Sequence, residues 1–336
     1  DLSERNRVLA HEFGQLIHYE NDPFEYIWID EGAAGLSEFI SFGESADLED
    51  ESNAWTMDPS KSLRWWDGRE SDAGSSFLFL AYLEDKLGGA AGTRQLVSNP
   101  SLGGNGIENL ARNPGPGSTP IGTSMSEIFA NFSAAVTLDS AQGAFGFSNL
   151  DLVEDCSDGG ICRAATSAEN DQWSEPWQSS GHGLEGWGVK SFRFTQGDGF
   201  PLSIMVQPSR SGFEGVVLSK EETSGTWTME KLMIDPSDGR GTGLVHGFGN
   251  TTSEVLLLVW LNSIIDDCDF DFANCGVITS GYPGGTFTVS ASQVTSPAQV
   301  SIDSIIGFDR DGDLLEDSVE IGMSLSSSAF SETLSV

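Results

Sequence analysis

The stretch that decides the fold is VLAHEFGQLIHY at residues 8–19, followed by WIDEGAAGLSEF at residues 28–39. A helix is predicted over residues 4–20, because apolar side chains recur there with the period of an amphipathic helix: Leu9, Phe13, Leu16 and Ile17. The turn signal at residues 21–23 (NDP) ends this helix. A second helix is predicted over residues 31–42. The chain therefore opens with two consecutive helices.

Apolar spacing and stop signals predict more helices up to about Leu150. These further helices cover residues 75–87, 93–97, 107–112 and 124–136. Beyond that point, short apolar stretches alternate with turn clusters, as in a β-sandwich. The strands are predicted at residues 189–195, 202–207, 215–218, 254–260 and 286–290, and the Gly-rich residues 180–187 are predicted to be an entry loop.

We therefore predict an α+β multidomain fold, in which a mainly helical lobe is followed by an antiparallel β-sandwich. The helical lobe covers residues 1–150, and a cysteine-bearing linker covers residues 151–180. The β-sandwich covers residues 181–300, and residues 301–336 begin a further module with an acidic loop.

The composition limits the class of partner. The 336 residues include 51 acidic and 16 basic side chains, a net charge of -35. Phosphate contacts need clustered Lys and Arg, which argues against a nucleic-acid binder. No apolar run reaches the roughly 18 residues that a membrane span needs. The acid excess fits a saline habitat, calcium binding or both, since salt screens charge and divalent cations neutralise it.

Four cysteines form two closely spaced pairs. Cys156 and Cys162 lie in CSDGGIC, and Cys268 and Cys275 lie in CDFDFANC. An even count in short loops favours two disulfides in an oxidising compartment. A zinc site is the alternative, although neither the spacing nor a nearby His supports it. We therefore expect a secreted or cell-surface protein, trimmed from a longer precursor.

His11 and Glu12 begin a motif that zinc proteases carry as H-E-x-x-H. Residues four apart share one helix face, so two side chains can chelate one ion while the glutamate polarises its water. Here the second His position is occupied by Gln15, and Glu31 on the second helix offers a third ligand. Zinc is therefore a candidate cofactor, with His11, Gln15 and Glu31 as candidate ligands.

The run from Val8 to Phe39 resembles secreted zinc metalloproteases of the gluzincin type, the group with immune-inhibitor-like and hyicolysin-like enzymes. Their pattern is similar to H-E-F-x-H, a turn, and then W-x-x-E-G-x-A-x-x-x-E. Residues 77–83 and 128–131 also resemble helices of that family's C-terminal lobe. The resemblance covers about residues 5–140.

The resemblance implies that His11 and Glu31 bind zinc and that Glu12 is the general base of peptide hydrolysis. The chain departs from the pattern at Gln15, because an amide oxygen is a poorer zinc ligand than imidazole, and at Ala73, where the family often places a Tyr or His. Two hypotheses follow: a weakened zinc peptidase, or a non-catalytic extracellular binding or surface-assembly module on the same scaffold.

A second metal site is predicted from five carboxylates around a glycine turn, namely Asp309, Asp311, Asp313, Asp317 and Glu320. The spacing resembles a thrombospondin type 3 or dockerin-type calcium repeat, in which alternating hard oxygens surround one cation. Calcium is favoured over a solvated acidic turn, because such close carboxylates repel one another without a cation.

The expected partners follow from these hypotheses. A peptidase would act on a peptide or protein substrate, and a binding module would hold an extracellular protein. Only ten residues precede His11, so an upstream fragment of the same precursor could supply the sheet that holds a substrate. Trp65 and Trp66 either line a binding surface or pack between helices.

Overall fold

The computed structural model describes residues 2–99, 101–141, 143–262, 284–294, 299–308, 318–326 and 331–335. In this part of the chain, helices come first and strands follow, so the predicted α+β class is confirmed. None of the described helices is both long enough and apolar enough to cross a membrane.

The described part of the chain contains seven α-helices. They are α1 (Leu2–Asn21), α2 (Ile27–Phe42), α3 (Ala46–Thr56), α4 (Glu70–Lys86), α5 (Ala90–Val97), α6 (Gly103–Arg112) and α7 (Met125–Leu138). Six of them correspond to predicted helices. The sequence analysis missed α3, although Ser45 caps it by accepting a hydrogen bond from the Leu48 amide at 3.2 Å. Such a cap, followed by acidic residues, is a usual helix start.

Helix α4 passes through the centre of the helical lobe. All seven residues from Phe77 to Leu83 are buried, so this helix is enclosed by its neighbours. It begins at Glu70 rather than at the predicted Ser75, because the Asp72 carboxylate accepts the amide of Arg69 at 3.0 Å. Phe79 and Phe132 meet edge to face at 5.1 Å, which joins α4 to α7.

Ten strands form two facing sheets. The first sheet contains β1 (Thr166–Asn170), β3 (Val189–Thr195), β5 (Phe213–Glu221), β6 (Trp227–Lys231) and β9 (Thr252–Leu261), in the order β1-β3-β9-β5-β6. The second sheet contains β2 (Trp177–Leu184), β4 (Leu202–Pro208), β7 (Met233–Ile234), β8 (Gly241–Val245) and β10 (Gly285–Gln293), in the order β2-β10-β4-β8-β7. All pairs are antiparallel except β1 with β3. The predicted β-sandwich is therefore confirmed.

The predicted entry loop at residues 180–187 was wrong, because most of it belongs to strand β2. His182 lies opposite Phe287 of β10, and Gly181 has a φ of 78°. Because β2 is an edge strand, glycines that would weaken a central strand are tolerated in it. Glycine content alone therefore misled the sequence analysis here.

The sandwich and the helical lobe share a buried core. Phe129 of α7 lies 5.5 Å from Trp187 and 6.3 Å from Trp260, measured between ring centroids. At the edge of this joint, Lys231 donates to Glu127 at 2.8 Å. The helices thus rest on the outer face of the first sheet. The domain limits at residues 150, 180 and 300 stay predictions.

A third, three-stranded sheet contains β11 (Gln299–Phe308), β12 (Ser318–Ser326) and β13 (Ser331–Ser335). Both strand pairs are antiparallel. Except for the first two residues of β11, this sheet lies within the segment that was predicted to begin a further module.

Helix α1 packs differently from what its amphipathic pattern suggests. The apolar residues that defined its pattern, Leu9, Phe13, Leu16 and Ile17, are exposed. The helix meets α2 instead through its small and polar face, which includes Gly14 and the buried His18. Periodicity identified the helix correctly, but it does not show which face of the helix packs against the rest of the protein.

Candidate functional site

A close helix contact positions His11. A Cβ placed on Gly14 would lie 2.7 Å from the Cβ of Ser37 and 3.4 Å from the Cα of Ala34. The Ser37 hydroxyl donates to the carbonyl of Ala10 at 3.0 Å. Only glycine permits this approach without displacement. The contact brings His11, one turn earlier, beside α2.

The structure brings two of the predicted zinc ligands together. His11 Nε2 lies 3.3 Å from Glu31 Oε2, and both side chains are about a quarter to a third exposed. The hydrogen bond to Glu31 raises the pKa of His11 above its usual value, against desolvation, which lowers it, and nearby Glu12 and Glu38 add to the rise. The two side chains therefore form a charge-assisted pair with each other.

In the part of the chain that the structure describes, the third predicted ligand does not join this pair. As far as the described residues show, His11, Glu12 and Glu31 line one pocket, whereas Gln15 does not. Among the described residues, no His, Cys, Asp and Glu side chains form a group of three or more that could hold a metal ion. A catalytic zinc site takes three protein ligands. Among the described residues, the structure joins only two of the three predicted ligands, and zinc binding stays a prediction.

The buried His18 side chain makes a separate polar contact, away from the His11–Glu31 pair. Its Nδ1 lies 2.9 Å from Asp30 Oδ1, and the side chain is 1% exposed. Next to it, the Glu25 carboxylate accepts the Gly103 amide at 2.8 Å, while burial raises the pKa of Glu25. His18 thus helps to fix the end of α1 against α2.

A pocket of about 430 Å³ lies where α1 to α4 meet, and its wall includes the His11–Glu31 pair. The aromatic side chains of Trp66 and Phe77 supply its apolar wall. Besides Glu31, six carboxylates line it, namely Glu4, Glu12, Glu38, Asp47, Glu51 and Glu70. We call it the acidic pocket.

Both arginines that line the acidic pocket are already engaged. Arg7 donates to Glu38 at 3.3 Å and to the carbonyls of residues 42–44 at 3.0–3.1 Å. Arg69 donates to Asp72 at 3.0 Å. The remaining carboxylates therefore leave an excess of negative charge in the acidic pocket. A cationic group is the ligand that this field favours.

Glu51 is a partly buried carboxyl in the acidic pocket. Its pKa is raised to about 7, mainly by burial; His11 lowers it, and the charges of Glu38, Asp47 and Glu70 add to the rise. A carboxyl with a raised pKa prefers its neutral form in the folded state. Glu51 is therefore destabilising when it is ionised and unpaired.

We expect Glu51→Gln to stabilise the protein at high pH. The folded pKa is about 7 and the ordinary value is 4.5, so the folded state binds more protons between these values and loses stability as pH rises through them. Because Glu51 is partly exposed, screening limits the expected gain at pH 8 to about 1–2 kcal/mol. Urea denaturation at pH 4.5 and pH 8 measures it.

The matched control is Glu12→Gln, which removes an exposed carboxylate from the same pocket. It should change stability at pH 8 by less than Glu51→Gln does. If the free energy of unfolding depends on pH in the same way in the wild type and in Glu51→Gln, the raised pKa of Glu51 is contradicted.

The sequence analysis missed most of the acidic pocket. Glu38 is the last glutamate of the W-x-x-E-G-x-A-x-x-x-E pattern, but no role was predicted for it. Asp47 and Glu51 carried no motif, and both lie on the unpredicted α3. The helix-start signal at Ser45 would have found α3. No sequence signal identifies which carboxylates meet, because α3 and α1 are brought together only by packing.

The predicted disulfide between Cys156 and Cys162 is present, with a Cα separation of 5.4 Å. The loop that it closes docks on α3. Asn53 donates to the Gly160 carbonyl at 3.0 Å and accepts the Cys162 amide at 2.7 Å. This disulfide-closed loop therefore holds the connection between the helices and the strands against α3, which also lines the acidic pocket.

Two other predicted features fall largely outside the described residues. The pair Cys268 and Cys275 lies outside them, as do the calcium-ligand candidates within residues 309–317. Glu320 lies on strand β12. The second disulfide and the calcium site stay predictions.

No protein-family model and no curated protein matches this chain. Among solved structures, the pre-peptidase C-terminal domain of a collagenase from Bacillus anthracis is similar over 38% of this chain and 97% of its own, at 11% identity and a TM-score of 0.25. CorA, a surface-associated copper-binding protein of Methylomicrobium album BG8, covers 39% of this chain and 99% of its own, at 10% identity and a TM-score of 0.24. PliG of Salmonella Typhimurium, a periplasmic inhibitor of g-type lysozyme, covers 37% and 96%, at 12% identity and a TM-score of 0.22. Similarity at this level supports no functional inference for this chain.

Proposed function

We propose that this protein is a non-catalytic extracellular binding module, built on a metallopeptidase-like scaffold, whose acidic pocket holds a basic segment of a partner protein. The observation that carries the proposal is the direct pairing of His11 with Glu31 inside a wall of carboxylates. Each side chain of this pair is already bonded to the other.

The electrostatics support a basic ligand. With Arg7 and Arg69 engaged by neighbouring groups, Glu4, Glu12 and Glu70 face the pocket with their charges available. The net charge of -35 adds a long-range field that attracts cations and speeds their encounter. The aliphatic stem of a lysine or arginine would lie along the apolar wall of the pocket.

Extracellular location is part of the proposal. It is supported by the Cys156–Cys162 disulfide, since such bonds persist mainly in oxidising compartments. The predicted calcium site at residues 309–320 belongs to the proposal as a further stabilising feature.

The test is calorimetric titration of the full chain with hexalysine at pH 8. We expect binding that weakens about fivefold in the double variant Glu12→Gln/Glu70→Gln, because two nearby charges contribute about 1 kcal/mol together at high dielectric. The double variant Glu169→Gln/Glu230→Gln removes two exposed carboxylates from the sandwich and is the matched control, since its net charge is identical.

The proposal is supported if the control variant keeps the wild-type affinity for hexalysine. Mass spectrometry should also show that the hexalysine is not cleaved. Equal weakening in both double variants would mean that hexalysine senses only the overall charge, and the acidic pocket would be rejected as the binding site. Absence of binding would reject it as well.

A weakened zinc peptidase is the second candidate. The convergence of His11 and Glu31, with Glu12 lining the same pocket, favours it. His11, Gln15 and Glu31 would then be the metal ligands and Glu12 the base, as the resemblance implies. If Gln15 is the missing part, Gln15→His should create zinc binding that the wild type lacks, measured by calorimetry.

A further inference from the structure

Helix α1 presents a continuous row of large apolar side chains to solvent. Their exposed fractions range from 43% to 64% for Leu2, Leu9, Phe13, Leu16 and Ile17. The opposite face of the helix is the one that contacts α2, as the bonds of Arg7, His11 and Ser37 show. A contiguous apolar row of this kind marks an interaction surface.

The spacing along this row is symmetric about Phe13. Leu9 and Ile17 each lie four residues from Phe13. An antiparallel copy of the helix, related by a two-fold axis at Phe13, would place Phe13 against Phe13 and Leu9 against Ile17. The centre of the row is therefore complementary to itself.

The charges beside the row select the same orientation. Arg5 precedes Phe13 by eight residues and Glu20 follows it by seven, and both are exposed. In an antiparallel pair, Arg5 of each copy lies within about one residue, roughly 1.5 Å, of the level of Glu20 of the other copy. A parallel pair would instead place like charges together, which is unfavourable.

We infer that the exposed face of α1 binds a second copy of this chain, in an antiparallel helix pair centred on Phe13. The interface buries the apolar row and forms two symmetric ion pairs between Arg5 and Glu20. The overall charge of -35 opposes association, but at physiological salt the Debye length of about 8 Å screens charges that lie away from the contact. The local charges then decide the orientation.

Sedimentation velocity of the full chain, in 0.15 M NaCl and over a concentration series, tests the inference. We expect a monomer–dimer equilibrium that Phe13→Glu weakens by at least about tenfold. Met233→Glu changes a 73% exposed apolar residue on β7 and should leave the equilibrium unchanged. Circular dichroism confirms that each variant is folded.

A charge exchange tests the orientation. Arg5→Glu and Glu20→Arg should each weaken the dimer by about tenfold, because each alters two symmetric pairs. The double variant should restore the affinity of the wild type. A wild type that stays monomeric, or a double variant no tighter than the single ones, would overturn the inference; neither result bears on ligand binding in the acidic pocket.

Discussion

Replacing Phe129 with alanine is expected to lower the free energy of unfolding by about 3–5 kcal/mol, the usual cost of removing a buried phenylalanine. Phe129 is fully buried and contacts Phe132 of its own helix as well as Trp187 and Trp260 beside the first sheet. The cavity would lie where helices and strands meet. Urea denaturation followed by tryptophan fluorescence and by circular dichroism measures the loss.

The two probes should report one coincident transition in the wild type, because a shared core couples the helical lobe to the sandwich. Phe200→Ala is the matched control. Phe200 is 41% exposed between β3 and β4, so its loss should cost less than about 1 kcal/mol. Two separate transitions, with only one shifted by Phe129→Ala, would show that lobe and sandwich unfold independently.

Replacing Gly74 with alanine is expected to cost about 3 kcal/mol, at the upper end of overpacking penalties. A Cβ at this position would lie 1.9 Å from the carbonyl oxygen of Glu51 and 2.6 Å from the amide nitrogen of Ser52. Both contacts are to backbone, so α3 itself has to move away from α4. The displacement would also shift the Glu51 side chain in the acidic pocket.

Gly104→Ala is the control, because its Cβ would meet only the Met125 side chain, at 3.5 Å and beyond. It should be neutral or stabilise by up to about 1 kcal/mol, since alanine is the better helix former. Equal stability of the two variants in urea would contradict the close α3–α4 packing.

The sequence predicted helices well where apolar periodicity was strong. Helices α4 and α7 carry long apolar runs, and both were found. Helix α3 was missed because its sequence, ADLEDESNAWT, has few apolar residues, so the capping signal at Ser45 was its main mark. Strand β2 was missed because its glycines resemble a loop, and only pairing with β10 makes it a strand.

The candidate site was predicted in part. The motif around His11 and the following Glu31 correctly indicated that these two side chains meet. The carboxylates of α3 and the engagement of Arg7 could not be predicted, because they depend on how helices far apart in sequence pack. The exposure of the apolar face of α1 could not be predicted either, since periodicity identifies an apolar face but not what covers it.

Zinc content, measured by mass spectrometry after dialysis of the full chain against saline buffer with a small excess of zinc, tests the proposed non-catalytic function most directly. We expect substoichiometric zinc, because His11 and Glu31 pair with each other and lack a third donor among the described residues. Stoichiometric zinc that is lost in both His11→Ala and Glu31→Gln would contradict this and would favour the peptidase.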